Sequence, residues 1–140
     1  MDAHPIHDVL AFNRQFNVPM ANEPSLLCEE LKEYRIKFLA EEFLEFKSAC
    51  EQENLADAAD ALVDLIYVAY GTALMMGLPW QAMWALVHRK NMQKVLTIRP
   101  EDSKRGSQYD VIKPEGWTPP DYTMIIGSGP WPTFNPREQS

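Results

Sequence analysis

The 140-residue chain is predicted to be all-α: a helical bundle built on a long antiparallel helix hairpin, completed by dimerisation, with an irregular proline-rich C-terminal tail. Three observations predict this. Apolar residues recur at three- and four-residue steps through most of the first 98 positions. Helix starts and stops punctuate that pattern at Pro24-Ser25, Asn54 and Gly77-Leu78-Pro79. Seven of the eleven prolines and four of the six glycines fall in the last 42 residues, where helices should stop. Residues 1–98 are therefore expected to form the core and 99–140 the tail.

The elements follow in order. Ile6, Val9, Leu10 and Phe16 share helical spacing, and Pro19 follows, which predicts a first helix over 6–16. From Ser25, Leu26, Leu27, Leu31, Ile36, Phe38, Leu39, Phe43 and Phe46 mark an amphipathic helix over 25–52. Asn54 is a suitable cap for a third helix over 55–76, apolar nearly all round and so expected to be buried. Gly77 suits a helix end and Pro79 the first turn of a fourth helix reaching Leu96. The tail still carries Tyr109, Trp117, Tyr122, Trp131 and Phe134, too aromatic for a disordered segment, so it is expected to pack on the helices or on a neighbouring subunit.

Composition narrows the function. With 46% apolar and 24% charged residues the chain looks like an ordinary soluble domain. Asp60 and Asp64 interrupt its best apolar run, and MDAHPIHD has no basic-then-apolar leader pattern, so a cytoplasmic protein with no membrane partner is expected. A formal charge of −7 argues against nucleic-acid binding. Cys28 and Cys50 lie on one expected helix, about 33 Å apart, which excludes a disulfide between them.

The acids carry the functional signal. From Ala61 to Leu78 the only charged side chain is Asp64. An ionised carboxylate among Leu62, Val63, Leu65, Ile66 and Val68 must be neutralised, paired or bound to a metal. Reflecting the second and third helices about their short link puts Glu45 level with Asp60 and Asp64, all roughly 13 Å from the turn. Glu41 and Glu42 reflect onto residues 65 and 66. Positions 57, 60 and 64 fall within about 60° of one another around the third helix. Nothing basic stands beside them in sequence, and hard oxygen ligands of this type suit Mg²⁺ or Mn²⁺. Each acid also has a plainer role. Asp57 suits the positive end of the helix dipole and Asp60 could do the same. Glu41 and Glu42 could be solvated, and Asp64 could pair with Arg35 or Lys94.

FLAEEFLEF followed by DAADALVDLIYVAYG resembles the all-α nucleoside triphosphate pyrophosphatases, the MazG-like and phosphoribosyl-ATP pyrophosphohydrolase-like superfamily. Glu41-Glu42-Phe43-Leu44-Glu45 matches that family's Glu-Glu-x-x-Glu in full. The second acidic motif departs from the usual Glu-x-x-Asp: either Asp60 and Asp64 fill it, with Ala61 at the glutamate position, or Asp57 and Asp60 do. VHRKNMQKV and KPEGWTPPD resemble the fourth helix and proline-rich ending of small phage and bacterial relatives.

The resemblance implies hydrolysis of a nucleoside triphosphate to the monophosphate and pyrophosphate with Mg²⁺, for which Mn²⁺ can substitute. It implies Glu42, Glu45, Asp60 and Asp64 as metal ligands and Glu41 or Glu42 as the residue that takes a proton from water. Asn91 and Lys94 are the candidates for phosphate or sugar contacts, with Lys90, Lys104 and Arg105 weaker ones. Asn13 and Phe16, with Phe12, could line a slot for the base. By the same resemblance the substrate is expected to be a purine deoxynucleotide such as dGTP, and the protein a homodimer or homotetramer. Three alternatives stand beside this reading. Phosphoribosyl-ATP hydrolysis lies inside the superfamily, and an acidic helical adaptor lies outside it. A di-iron bundle would need Glu-x-x-His pairs, and no histidine follows any of these acids by three.

Overall fold

The computed structural model describes residues 4–138, so the first three residues of MDAHPIHD lie outside it. The described chain is mainly helical, as expected. Its elements are α1 (Ile6–Gln15), β1 (Leu26–Leu27), α2 (Glu29–Glu51), α3 (Leu55–Met75), α4 (Trp80–Asn91), β2 (Val95–Leu96), β3 (Val111–Ile112), α5 (Thr123–Ile126) and β4 (Thr133–Phe134). They fall into two compact units. One holds the chain up to Leu78 together with the stretch from Gly129 onward, and the other holds Pro79–Ser128.

The first unit is organised by the α2–α3 hairpin. Only residues 52–54 separate the two helices, so they run antiparallel. Glu53 adopts φ 55°, while its N–H donates to Cys50 O and that of Asn54 to Ala49 O, which satisfies the last carbonyls of α2. Asn54 then caps α3: its Oδ1 accepts from the Asp57 N–H at 3.0 Å and its Nδ2 donates to Asp57 Oδ2 at 2.9 Å. α1 packs on α3 through Ile6, Val9 and Asn13, and the Phe12 ring meets Tyr67 edge-on at 5.5 Å.

The buried seam of α2 is Arg35, Glu42 and Ala49, seven residues apart each time. α3 answers with Ala61, Val68 and Met75 at the same interval, the spacing of a coiled-coil seam. Arg35 is accommodated by α3. Its Nε donates to Thr72 Oγ1 at 2.9 Å and its Nη2 to Val68 O at 3.0 Å, and its guanidinium stands 5.2 and 5.3 Å from the Tyr34 and Phe38 rings. Gly71 makes the room, since a Cβ there would lie 2.9 Å from Nη2.

Four sequence expectations need correction. The second helix begins at Glu29, not Ser25, because β1 is drawn into a parallel pair with β4, Leu26 opposite Thr133 and Leu27 opposite Phe134. The fourth helix ends at Asn91, not Leu96, because Val95–Leu96 pairs antiparallel with Val111–Ile112. A short helix, α5, follows Arg99 after all, started by Asp121, which accepts from the Thr123 N–H and hydroxyl. Finally, α3 is not buried all round: Leu62, Val63 and Ile66 are exposed, because α1 and α2 cover only part of it. By length and composition α3 could cross a bilayer; here it is the helix against which α1 and α2 pack. Cys28 and Cys50 are both free.

In the second unit the β2–β3 ladder is braced by Asp110, which accepts from Ser103 Oγ at 2.6 Å and from Arg105 Nη2 at 2.8 Å. Those bonds hold its carboxyl far below the usual aspartate range, and they occupy Arg105.

Gly77 closes α3 at φ +66°, and a Cβ there would collide with the Glu23 carbonyl oxygen. Gly77→Ala is therefore expected to destabilise the protein by about 1–3 kcal/mol in chemical denaturation. Wild-type stability in that variant would show that the turn tolerates a side chain.

Candidate active site

The hairpin puts four of the acids into one electrostatic field. Glu42 lies on the buried seam of α2, only 9% exposed, and its Oε2 has no hydrogen-bond partner. Burial, above all, raises the proton affinity of its carboxyl. The charges of Glu45 and Asp64, a hydrogen bond shared with Glu45 and the charge of Asp60 raise it further. Among the described residues no basic side chain forms an ion pair with Glu42, Glu45, Asp60 or Asp64. Lys47, two residues from Glu45, pairs with Glu51, and Arg35, a partner considered for Asp64, donates to Thr72 Oγ1 and the Val68 carbonyl.

The structure redistributes burial among these acids. Asp64, expected to be the stranded charge, is half-buried, and Asp60 and Glu45 are exposed. The buried carboxylate is Glu42. Asp57 is bonded to Asn54 at the α3 cap, as a helix-start acid would be. The α3 carboxylates whose fields act on Glu42 are Asp60 and Asp64. Glu41 is exposed and is not among the groups acting on Glu42. Beside the cluster, a cleft of about 320 Å³ is lined by Glu45, Ser48, Gln52, Asp57, Asp60 and Ala61.

Among the described residues no three acids, histidines or cysteines converge closely enough to enclose a metal ion. The donor set nonetheless fits a hard divalent cation: all ligands are oxygen, one buried oxygen lacks any partner, and nothing offsets the negative charge.

The remaining sequence candidates divide between the units. In the first, Asn13 is 3% exposed and its Nδ2 has no partner. Phe16 is exposed, with its ring 4.7 Å from that of Phe12. Phe12 in turn meets Tyr67, one helical turn beyond Asp64, which links this aromatic group to the acid-bearing stretch of α3. In the second unit Asn91 is the last, exposed residue of α4, and the Lys94 Nζ lies 5.2 Å from the Trp117 ring centre. Sequence reasoning gave Trp117 and Lys113 no role. Their only signal was the KPEGW stretch, whose partner across the ladder is visible only once β2 and β3 pair.

Because the folded protein holds the Glu42 proton more tightly than the unfolded chain, the stability this group contributes is complete below the ordinary glutamate pKa. It is lost as pH rises through the raised value. Without divalent cation, Tm is expected to fall as pH rises above the ordinary glutamate range, and Glu42→Gln to flatten that slope. An unchanged slope in thermal melts of the variant would remove Glu42 as its source.

No curated protein matches the chain. The family model for phosphoribosyl-ATP pyrophosphohydrolase matches residues 9–91, which takes in most of α1, all of α2 and α3, and α4 to its last residue. Members of that family hydrolyse phosphoric anhydride bonds of nucleotides and generally use divalent metals. With more than half its length matched, and with its acids gathered on the two helices of the hairpin, the chain belongs to the phosphoribosyl-ATP pyrophosphohydrolase family.

Proposed function

We propose that the protein is a Mg²⁺-dependent nucleoside triphosphate pyrophosphohydrolase that converts a (d)NTP and water to the (d)NMP and diphosphate, with a purine deoxynucleotide such as dGTP preferred. The observation that carries this reading is Glu42, a buried carboxylate with an unpartnered oxygen in the field of Glu45, Asp60 and Asp64, none of which has an ion-pairing base among the described residues. Glu42, Glu45, Asp60 and Asp64 hold the cation. When bound, Mg²⁺ or Mn²⁺ neutralises phosphate charge and acidifies a water. Glu41 or Glu42 would take a proton from the attacking water as its oxygen bonds to the α-phosphorus and the α–β bridging bond breaks, releasing diphosphate.

Asn13 and Phe16 receive the base in this reading. The unpaired Asn13 amide is a donor with no protein acceptor, and the Phe12–Phe16 pair supplies an aromatic wall. Asn91 and Lys94 contact phosphate or sugar. The active form is a homodimer or homotetramer, supported by the apolar side chains left exposed on α2 and α3, among them Ile36, Leu44, Val63 and Ile66. A second reading, hydrolysis of phosphoribosyl-ATP, is favoured by the description of the matching family.

Two outcomes are expected. Wild-type protein releases diphosphate and monophosphate from one or a few nucleotides in Mg²⁺, and Asp64→Asn loses on the order of 100-fold or more in turnover with an unchanged circular dichroism spectrum. Activity confined to phosphoribosyl-ATP would select the second reading, and full activity in the variant would remove Asp64 from the site. Independently, Mg²⁺ at about 100 times its Kd should stabilise the fold by about 2.7 kcal/mol. Identical melting with and without metal would favour a non-enzymatic acidic adaptor.

A further inference from the structure

Within the unit built on the hairpin, a cavity of about 540 Å³ lies between the stretch from β1 into α2 and the end of α3. Its wall is mainly apolar, formed by Leu26, Leu27, Ile36, Leu39 and Met76, and its volume falls in the range of small-molecule sites. Three charged side chains complete the lining: Glu29, Lys32 and Arg35. The first two offset each other, since Lys32 Nζ stands 2.7 Å from Glu29 Oε2. Arg35 is left over. It is only 8% exposed, and among the described residues no acid forms an ion pair with it.

The guanidinium is held at two points, by Thr72 Oγ1 at 2.9 Å and the Val68 carbonyl at 3.0 Å, and both acceptors are neutral. Thr72 stands in the cavity wall beside it. Those bonds fix the group but leave most of its N–H donors, those on Nη1 among them, without an acceptor among the described residues. The Tyr34 and Phe38 rings attract the cation, yet a ring carries no net charge. A buried charge is ordinarily matched by an opposite one. This wall therefore carries one unmatched positive charge in apolar surroundings.

We infer that the cavity binds a small organic monoanion, a carboxylate with an apolar body, its charge against Arg35 and its body along Leu26, Leu39 and Met76. A carboxylate supplies the single charge that is missing. A phosphate monoester carries close to two at neutral pH and would bring an unmatched charge into an apolar wall, while a neutral ligand would leave Arg35 as it is. The cavity shares no residue with the cluster of Glu42, Glu45, Asp60 and Asp64, so the inference is independent of the hydrolase reading and needs neither metal nor nucleotide.

The test is calorimetric titration of the full chain, in EDTA and without nucleotide, with octanoate and with octan-1-ol, its neutral counterpart of equal length. Octanoate is expected to bind wild-type protein about tenfold or more tightly than octanol, and Arg35→Gln to abolish that difference. Because Arg35 also joins the two helices, a surface pair supplies a second readout with the seam untouched. Glu29→Gln, which frees the Lys32 charge, should tighten octanoate about two- to fivefold, and Lys32→Gln, which frees Glu29, should loosen it by a similar factor. Octanol affinity should follow neither change. Equal binding of octanoate and octanol, or binding of neither, overturns the proposal, as does a shift of the same sign, or none, in the two surface variants. If neither probe binds and Ile36→Glu dissociates a dimer in sedimentation, a second copy of the chain covers the cavity, and the proposal is wrong about its occupant.

Discussion

Arg35 and Glu42 sit seven residues apart on the seam where α2 meets α3, and the hairpin accommodates them in opposite ways. Arg35 reaches the Val68 carbonyl and the Thr72 hydroxyl, stacks near two rings and occupies the space that Gly71 leaves. A guanidinium that donates to two neutral acceptors and stands near two rings ties the helices together and recovers part of the cost of its burial. Glu42 receives no such treatment. α3 offers it more carboxylates, and one of its oxygens is left without a partner. The seam is thus closed at one level and left electrostatically open two turns away.

That asymmetry is the physical content of the site. A fold selected only for stability would put an apolar residue at Glu42, because a buried unpaired carboxylate costs several kcal/mol or takes up a proton. The surrounding acids do not lower that cost; they raise it. A cation among them would add an attraction to each carboxylate that offsets these repulsions.

The distribution of charge gives the second unit a different character. The chain is acidic overall, yet Lys94 and Lys113 both lie against the Trp117 ring, and neither has an ion-pairing acid among the described residues. A few residues away Arg105 and Asp110 form a tight pair. The contrast shows that acids are available to this unit and are used where a loop needs bracing. Exposed apolar residues on α2 and α3 mark a further face where the described chain leaves contact area uncovered.

Much of this was legible in the residues themselves. The helix class, the hairpin and the Asn54 cap follow from periodicity and local capping chemistry, which act within a few residues and survive in any tertiary setting. The level at which Glu42, Glu45, Asp60 and Asp64 meet follows from helix rise and a short link alone. What sequence could not decide was long-range. β4 pulls residues 26–27 out of the second helix, and β3 ends the fourth helix early, because each strand's partner lies far along the chain. Burial also had to be read from packing. Asp64 looked stranded because its neighbours are apolar, but α3 is covered on only part of its surface. Glu42, on a helix of mixed composition, turned out to face the seam. Local chemistry determined which residues carry charge and at what height they stand; only tertiary contact decided which of them loses water, and desolvation is what makes a carboxylate reactive.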